Sequence, residues 1–242
     1  MNIGLIFAGG TGTRMKGSDK PKQFLTLNGK PIIIYTIEHF EKHPDIDGIV
    51  VVCKEDWIDY LNEQLTTYGI KKVLKVVPGG ATGQASIRNG LFAIRDAVGV
   101  PAEDVIVLIH DGVRPLIDEK LITDNIESVK KNGNAITVVP AIETIIETDE
   151  KGDISKVADR KMCRLARAPQ SFVLSDIIAA HERSLAEKKE EMIDSAMLMQ
   201  HYGAVLHTVE GPVENIKITT PMDYHLFKAL VNGKNTSFIE EE

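Results

Sequence analysis

Short, almost unbroken apolar runs recur along the chain with stretches of helical spacing between them. That alternation points to an α/β fold, a mainly parallel sheet with helices on both faces. The runs are Ile3–Phe7, Gly48–Cys53 (GIVVVC), Lys72–Val77, Val105–Ile109, Ala135–Pro140 and Val205–Glu210. Val105–Ile109 is β-branched or Leu throughout, as expected of a central strand buried on both faces. Helices are expected at Pro31–His43, with Ile33, Ile34, Ile37 and Phe40 on one side, at Asp56–Tyr68 and at Ser86–Val98. Another is expected at Asp118–Asn132, with Asp118 as N-cap and Gly133 at its end. Leu174–Glu190, Asp194–Tyr202 and Pro221–Val231 complete the set.

One segment breaks the alternation. Ile142–Val157 reads as two strands about a turn at Asp149–Gly152, a β-hairpin set into the α/β frame. A lone two-stranded ribbon is marginal in water, so this arm should pack on something, and a second subunit is a good candidate. With no repeat or linker in 242 residues, the simplest organisation is one domain over 1–231, with the arm at about 140–160 and a polar tail at 232–242. A net charge of −7 argues against nucleic-acid or anionic-membrane binding, so an anionic ligand must be held by a local cluster of Arg and Lys. Cys53 and Cys163 alone make neither a disulfide framework nor a cysteine-rich zinc site. The first apolar run lacks a basic leader and ends at glycines, and nothing approaches the ~20 apolar residues of a membrane span. A cytoplasmic location is the expectation.

The first run breaks into AGGTGTRM (Ala8–Met15), and Lys20 and Lys22 follow. Gly9, Gly10 and Gly12 allow close backbone approach to phosphates, while Arg14 and Lys22 supply the positive charge that phosphoryl or nucleotidyl transfer requires. A tight turn closing a surface hairpin is the plain alternative. A Walker loop needs Lys-Ser or Lys-Thr after its glycines, and neither is there. A dinucleotide fingerprint needs a third glycine where Met15 stands.

Three further polar clusters could converge with this loop at the carboxyl edge of the sheet. PGGATGQAS (Pro78–Ser86) allows close approach to a base or ribose and places Ser86 where a helix should begin; it is equally readable as an ordinary strand-to-helix turn. HDGVRP (His110–Pro115) offers Asp111 for a substrate hydroxyl or a divalent cation, or else as a cap paired with Arg114. In ENIKITT (Glu214–Thr220), Lys217 lies between apolar residues of an expected strand, either snorkelling from an edge or pointed into a site.

Together with PKQF (Pro21–Phe24) and APQSF (Ala168–Phe172), these blocks make nearly the whole chain, Ile3 to about Lys228, resemble the polyol-phosphate cytidylyltransferases. The similar branches act on 2-C-methyl-D-erythritol 4-phosphate and on ribitol 5-phosphate. The resemblance implies a Rossmann-like nucleotidyltransferase fold with a hairpin dimerisation arm, CTP and a polyol phosphate as substrates, and Mg²⁺ or another divalent cation as cofactor. It implies that Ala8, Gly9, Gly10 and Gly12 wrap the nucleotide, with Gly80 and Ser86 on cytosine and ribose. Arg14 and Lys22 would grip the triphosphate, and Lys217 the acceptor phosphate or the α-phosphate. Asp111 would face the polyol hydroxyls, and is the candidate metal ligand, with Arg114 supporting its loop. Thr144 and Arg160, on the arm, would reach the substrate across a homodimer.

Departures from the methylerythritol branch favour ribitol 5-phosphate. Gly83 stands where that branch usually has Arg, Cys163-Arg164 where it has Leu-Trp, and Ala168 where it has Thr. Its Thr-Asp-Glu-Ala is Ile193-Asp194-Ser195-Ala196, and HDGVRP and APQSF look more like the ribitol branch. Rival readings are a nucleotidyltransferase for sugar 1-phosphates, which the arm and ENIKITT disfavour, and a nucleotide-binding regulator without catalysis.

Overall fold

The computed structural model describes residues 1–9, 20–189 and 192–233. Seven strands form the main sheet: β1 (Asn2–Ala8), β4 (Gly48–Cys53), β5 (Val73–Pro78), β6 (Ile106–Asp111), β7 (Asn134–Pro140), β10 (Arg164–Val173) and β11 (Thr208–Glu210). Their spatial order is β11-β7-β10-β6-β1-β4-β5. β6 is central, and its Val107–Asp111 is buried throughout. β2 (Thr26–Leu27) and β3 (Lys30–Pro31) make a small separate ribbon, and β8 (Ile146–Thr148) and β9 (Ile154–Val157) make another.

Side-chain alternation along the sheet divides the core in two. Ile3, Leu5, Val50, Val52 and Val107 face α3 (Gly83–Ala97), α5 (Leu174–Ala186) and α6 (Ser195–His201). Ile6, Ile49, Val51 and Leu108 face α1 (Ile32–Lys42), α2 (Ile58–Thr67) and α4 (Glu119–Asn132). A smaller cluster joins Val113, Leu116 and Ile218 to Phe227 of α7 (Pro221–Gly233). The expected caps of α4 are present. Asp118 accepts from Leu121 N at 2.8 Å, and Gly133 closes the helix at φ +82°.

The largest departure from expectation is β10, which the sequence pattern does not reveal. It runs antiparallel to both β6 and β7, so the sheet is mixed although its other strands share one direction. Its register shifts between Ala166 and Gln170, and Pro169 sits in that irregularity. A proline and buried polar residues argue against a central strand. Here Gln170 bonds Asp194 and the Ala196 amide, and Ser171 donates to Asn125, so burial leaves neither side chain unpaired.

Smaller corrections follow the same logic. α3 begins at Gly83 rather than Ser86, because Thr82 caps it by accepting from Ala85 N at 3.0 Å. The strand expected at Val205–Glu210 narrows to Thr208–Glu210, and the helix expected to reach Glu190 ends at Ala186. Glu214–Thr220 is not a strand. It is an irregular segment docked on the loop after β6, with Ile218 N donating to Val113 O at 2.9 Å.

Candidate active site

A cavity of about 700 Å³ opens beyond the carboxyl ends of β1, β4, β5 and β6. The chain goes from β1 outward through β4 and β5 and then returns to place β6 on β1's other side. That reversal creates a crevice of the kind in which open α/β sheets bind ligands.

One wall is glycine backbone. Gly79 N donates to Cys53 O at 2.8 Å, which seats the β5–α3 loop against the end of β4. A Cβ on Gly79 would meet Gly9 Cα at 3.2 Å, and one on Gly9 would meet Ser86 Oγ at 2.9 Å, so the two loops touch only because neither has a side chain. A Cβ on Gly80 would come within 2.5 Å of Ala85 Cβ. Ser86 Oγ accepts from Gly80 N at 3.0 Å and donates to Thr82 O at 2.9 Å. Its hydrogen is therefore committed, and what Ser86 still offers is a lone pair.

The opposite wall carries charge. Lys22 lines the cavity from a single turn, Lys22–Phe24, that is anchored twice. Gln23 Nε2 donates to Ala8 O at 2.7 Å, and Phe24 stacks on Trp57 with centroids 4.9 Å apart, its edge to Tyr60. On the floor, Asp111 Oδ2 accepts from Arg114 Nε at 2.9 Å and Oδ1 pairs with Lys217 Nζ at 2.5 Å. Burial would raise the Asp111 pKa, but Lys217 and Arg114 outweigh it and hold the carboxyl below its ordinary value. Arg114 lies behind Asp111 rather than on the cavity wall and donates from Nη1 to Asn215 O at 2.9 Å. Beside it, His110 Nε2 is 3.0 Å from Arg114 O, and burial lowers its pKa to about 4, so the ring is neutral near pH 7.

The structure thus gathers Ala8, Gly9, Lys22, Gly80, Ser86, Asp111 and Lys217 around one cavity, with Arg114 behind them. Gly10, Gly12 and Arg14 lie outside the described residues. Thr144 and Arg160 are not at this cavity. Thr144 precedes β8, Arg160 follows β9, both are exposed, and Arg160 Nη1 donates to Ile142 O. Gly83 lines the cavity, and a Cβ there would meet nothing within 4 Å; Ala168 does not line it. Lys54, Glu55, Asp56, Gln23, Thr82 and Thr219 also contribute to the lining. Lys54–Asp56 directly follows GIVVVC, so the rule that sites form after parallel strands marks these residues in the sequence.

Among the described residues Asp111 is the one carboxylate of this cavity that is also buried, and both its oxygens are engaged. Among the described residues no group of three or more His, Cys, Asp or Glu could hold a metal ion. No helix among them is long and apolar enough to cross a membrane.

A family model described as IspD, 2-C-methyl-D-erythritol 4-phosphate cytidylyltransferase, matches residues 3–233. The chain is 52% identical over 232 residues to a ribitol-5-phosphate cytidylyltransferase of Vibrio parahaemolyticus, covering 96% of each chain. It is 49% identical over 239 residues to a protein of the same name from Streptococcus agalactiae, covering 99% of this chain and 98% of the relative. A crystal structure of 4-diphosphocytidyl-2C-methyl-D-erythritol synthase from Anaerococcus prevotii superposes with a TM-score of 0.82 at 26% identity, covering 96% of each chain.

Proposed function

Because the chain belongs to the IspD cytidylyltransferase family, we propose that it transfers CMP from CTP to ribitol 5-phosphate, releasing pyrophosphate and forming CDP-ribitol. The observation that carries the reaction is the cavity itself, with glycine backbone on one wall and Lys22, Lys217 and Asp111 converging on the other side. The acceptor rests on the near full-length identity to two relatives named for ribitol 5-phosphate.

The nucleotide end explains a preference for cytosine. The Gly79 and Gly80 amides are spent on Cys53 O and Ser86 Oγ, so at those two residues the loop presents acceptors, the Gly80 carbonyl and a Ser86 lone pair. Acceptors suit the exocyclic amino group of cytosine and leave the corresponding uracil carbonyl unpaired. In the reaction, an oxygen of the acceptor phosphate attacks the α-phosphorus in line. The bond to the β-phosphate breaks, and pyrophosphate departs with the electron pair. The attacking oxygen is already anionic near pH 7, so no strong general base is needed. Catalysis is positioning and charge neutralisation, with Lys22 and Arg14 on the triphosphate and Lys217 between the acceptor phosphate and the α-phosphate.

The protein side of the cavity offers a divalent cation little, because Arg114 and Lys217 already occupy both oxygens of Asp111. Mg²⁺ usually takes one or two carboxylates and completes its shell with phosphates and water. An ion brought in with the nucleotide would be held chiefly by its phosphates and water, and would supply further neutralisation of phosphate charge.

The arm is assigned to a homodimer. Ile142, Ile154, Val157 and Met162 are each more than 60% exposed on it, which favours burial against a second copy. Thr144 and Arg160 would then serve the partner's cavity.

The test is pyrophosphate release from CTP with Mg²⁺, run in parallel with ribitol 5-phosphate and 2-C-methyl-D-erythritol 4-phosphate. Turnover restricted to ribitol 5-phosphate is expected. Turnover restricted to the methylerythritol compound overturns the acceptor, and silence with both overturns the reaction. Mixed dimers of inactive Lys22 and inactive Arg160 variants should regain activity; verified heterodimers that stay silent would place each site within one chain.

A further inference from the structure

We propose that Asn215 is a positioning residue that fixes Lys217 at the reacting phosphates by pinning its segment to β10 and to Arg114. The inference rests on the cytidylyl-transfer reading of the cavity. Lys217 sits on an irregular segment, so no helix or sheet ladder sets its place. Its side chain is 38% exposed, long and flexible, and its contacts with Asp111 and the face of Phe7 do not by themselves fix the backbone behind it.

Asn215, two residues earlier, is fully buried. Its Nδ2 donates to Ala168 O at 2.6 Å, within the irregularity of β10, and its own carbonyl accepts Arg114 Nη1 at 2.9 Å. Its amide donates to Pro212 O at 3.1 Å. Asn215 therefore closes a circuit: Asp111 to Arg114, Arg114 to Asn215, two residues of backbone to Lys217, and Lys217 back to Asp111. Cutting the side-chain bond at Ala168 leaves the ion pairs and the Ile218–Val113 bond in place but removes the segment's tie to β10.

The amide has one orientation that works. Turned over, Oδ1 would face the Ala168 carbonyl, oxygen against oxygen. Leu is almost the same size and shape and has no donor, so Asn215→Leu removes the bond without making a cavity or burying a charge. That is the test a general packing role would tolerate best.

The experiment combines steady-state kinetics with hydrogen exchange on the full chain. Asn215→Leu and Asn215→Ala should each lower kcat about 10- to 100-fold, the range expected when a reacting group is displaced by about an ångström. KM for CTP should stay within about two-fold, because the glycine wall is untouched. In a Lys217→Met background the same substitutions should cost less than about two-fold, since a residue acting through Lys217 has nothing left to position. Exchange at the Ile218 amide should quicken at least about ten-fold while the β6 amides stay protected.

An equal loss with and without Lys217, a matching rise in KM for CTP, or unchanged exchange at Ile218 would each overturn the proposal. So would failure of both variants to fold, which would make Asn215 a support of the whole chain. A wild type silent with both polyol phosphates would instead refute the reaction, and the exchange result would still decide whether Asn215 pins the segment.

Discussion

Replacing Asp111 by Asn removes one negative charge from between two cations and changes little in shape. Asp111 is 6% exposed and Arg114 8%, so their pair is almost wholly out of water, whereas the Lys217 side chain retains 38% exposure and can turn toward solvent. Breaking a buried pair by deleting one partner costs about 3–5 kcal/mol, mostly because the remaining charge is stranded. Arg114 keeps its bond to Asn215 O and Lys217 can rehydrate, which puts the expected loss near the low end, about 3 kcal/mol. For a chain of this size that lowers Tm by about 6–12 °C at pH 7.

The pH dependence has a definite sign. The carboxyl of Asp111 titrates below its ordinary value of 3.8 in the folded protein. Its contribution is fully present above that value and is lost as pH falls through the lower, folded one. The gap in Tm between wild type and Asp111→Asn should therefore stay constant from about pH 8 to pH 5 and narrow below about pH 4. Differential scanning fluorimetry across that range, with pyrophosphate release at pH 7, is the assay. A variant that melts within 1 °C of wild type at pH 7, or a gap that widens in acid, would refute this account of the cavity floor.

Lys22→Ala should lower kcat about 10²- to 10³-fold, as for loss of one preorganised charge-stabilising donor, with an unchanged melt because Gln23 and Phe24 still anchor the turn. Gly80→Ala forces a methyl to within 2.5 Å of Ala85 Cβ and should raise KM for CTP about ten-fold or more, whereas Gly83→Ala meets nothing and should leave KM within two-fold; titration with CTP separates them. UTP should turn over at least about ten-fold less efficiently than CTP in the same assay, since a uracil carbonyl at the Gly80 carbonyl and Ser86 would find no donor. His110 and His181 each titrate at about 4 because burial opposes their charged forms. Below 6.5 the unfolded chain thus binds more protons, stability drops by up to roughly 2 kcal/mol per histidine at pH 5, and His181→Asn should flatten the fall in Tm between pH 7 and pH 5.

What the sequence discloses and what it hides divide along physical lines. Gly48–Cys53 is legible to the residue because a strand buried on both faces must be apolar at every position. The ends of α4 are legible because Asp118 and Gly133 are chosen for their cap geometry. Ser86 reads as a helix start from sequence and sits a turn inside α3, since Thr82 outcompetes it as the cap. β10 is hidden because its polar residues are satisfied by Asp194, Ala196 and Asn125, partners from other elements that no local pattern announces. The cavity is legible as four blocks of polar residues, yet the apolar pattern around Lys217 suggests a strand that the fold does not form there. The apolar neighbours of Lys217 pack on the loop after β6 and on α7 rather than in a strand. Asn215 carries no signal alone, because its value lies in what Ala168 and Arg114 bring to it.

The antiparallel course of β10 has one more consequence. The chain leaves the sheet at Pro140 and re-enters at Arg164, and those two residues are paired with each other. The excursion between them is a closed side loop whose mouth is fixed by hydrogen bonds. Residues can be added, removed or exchanged in it without shifting the register of any strand at the cavity. Whatever the arm touches is free to diverge at its own pace, while the nucleotide end answers to a separate set of constraints.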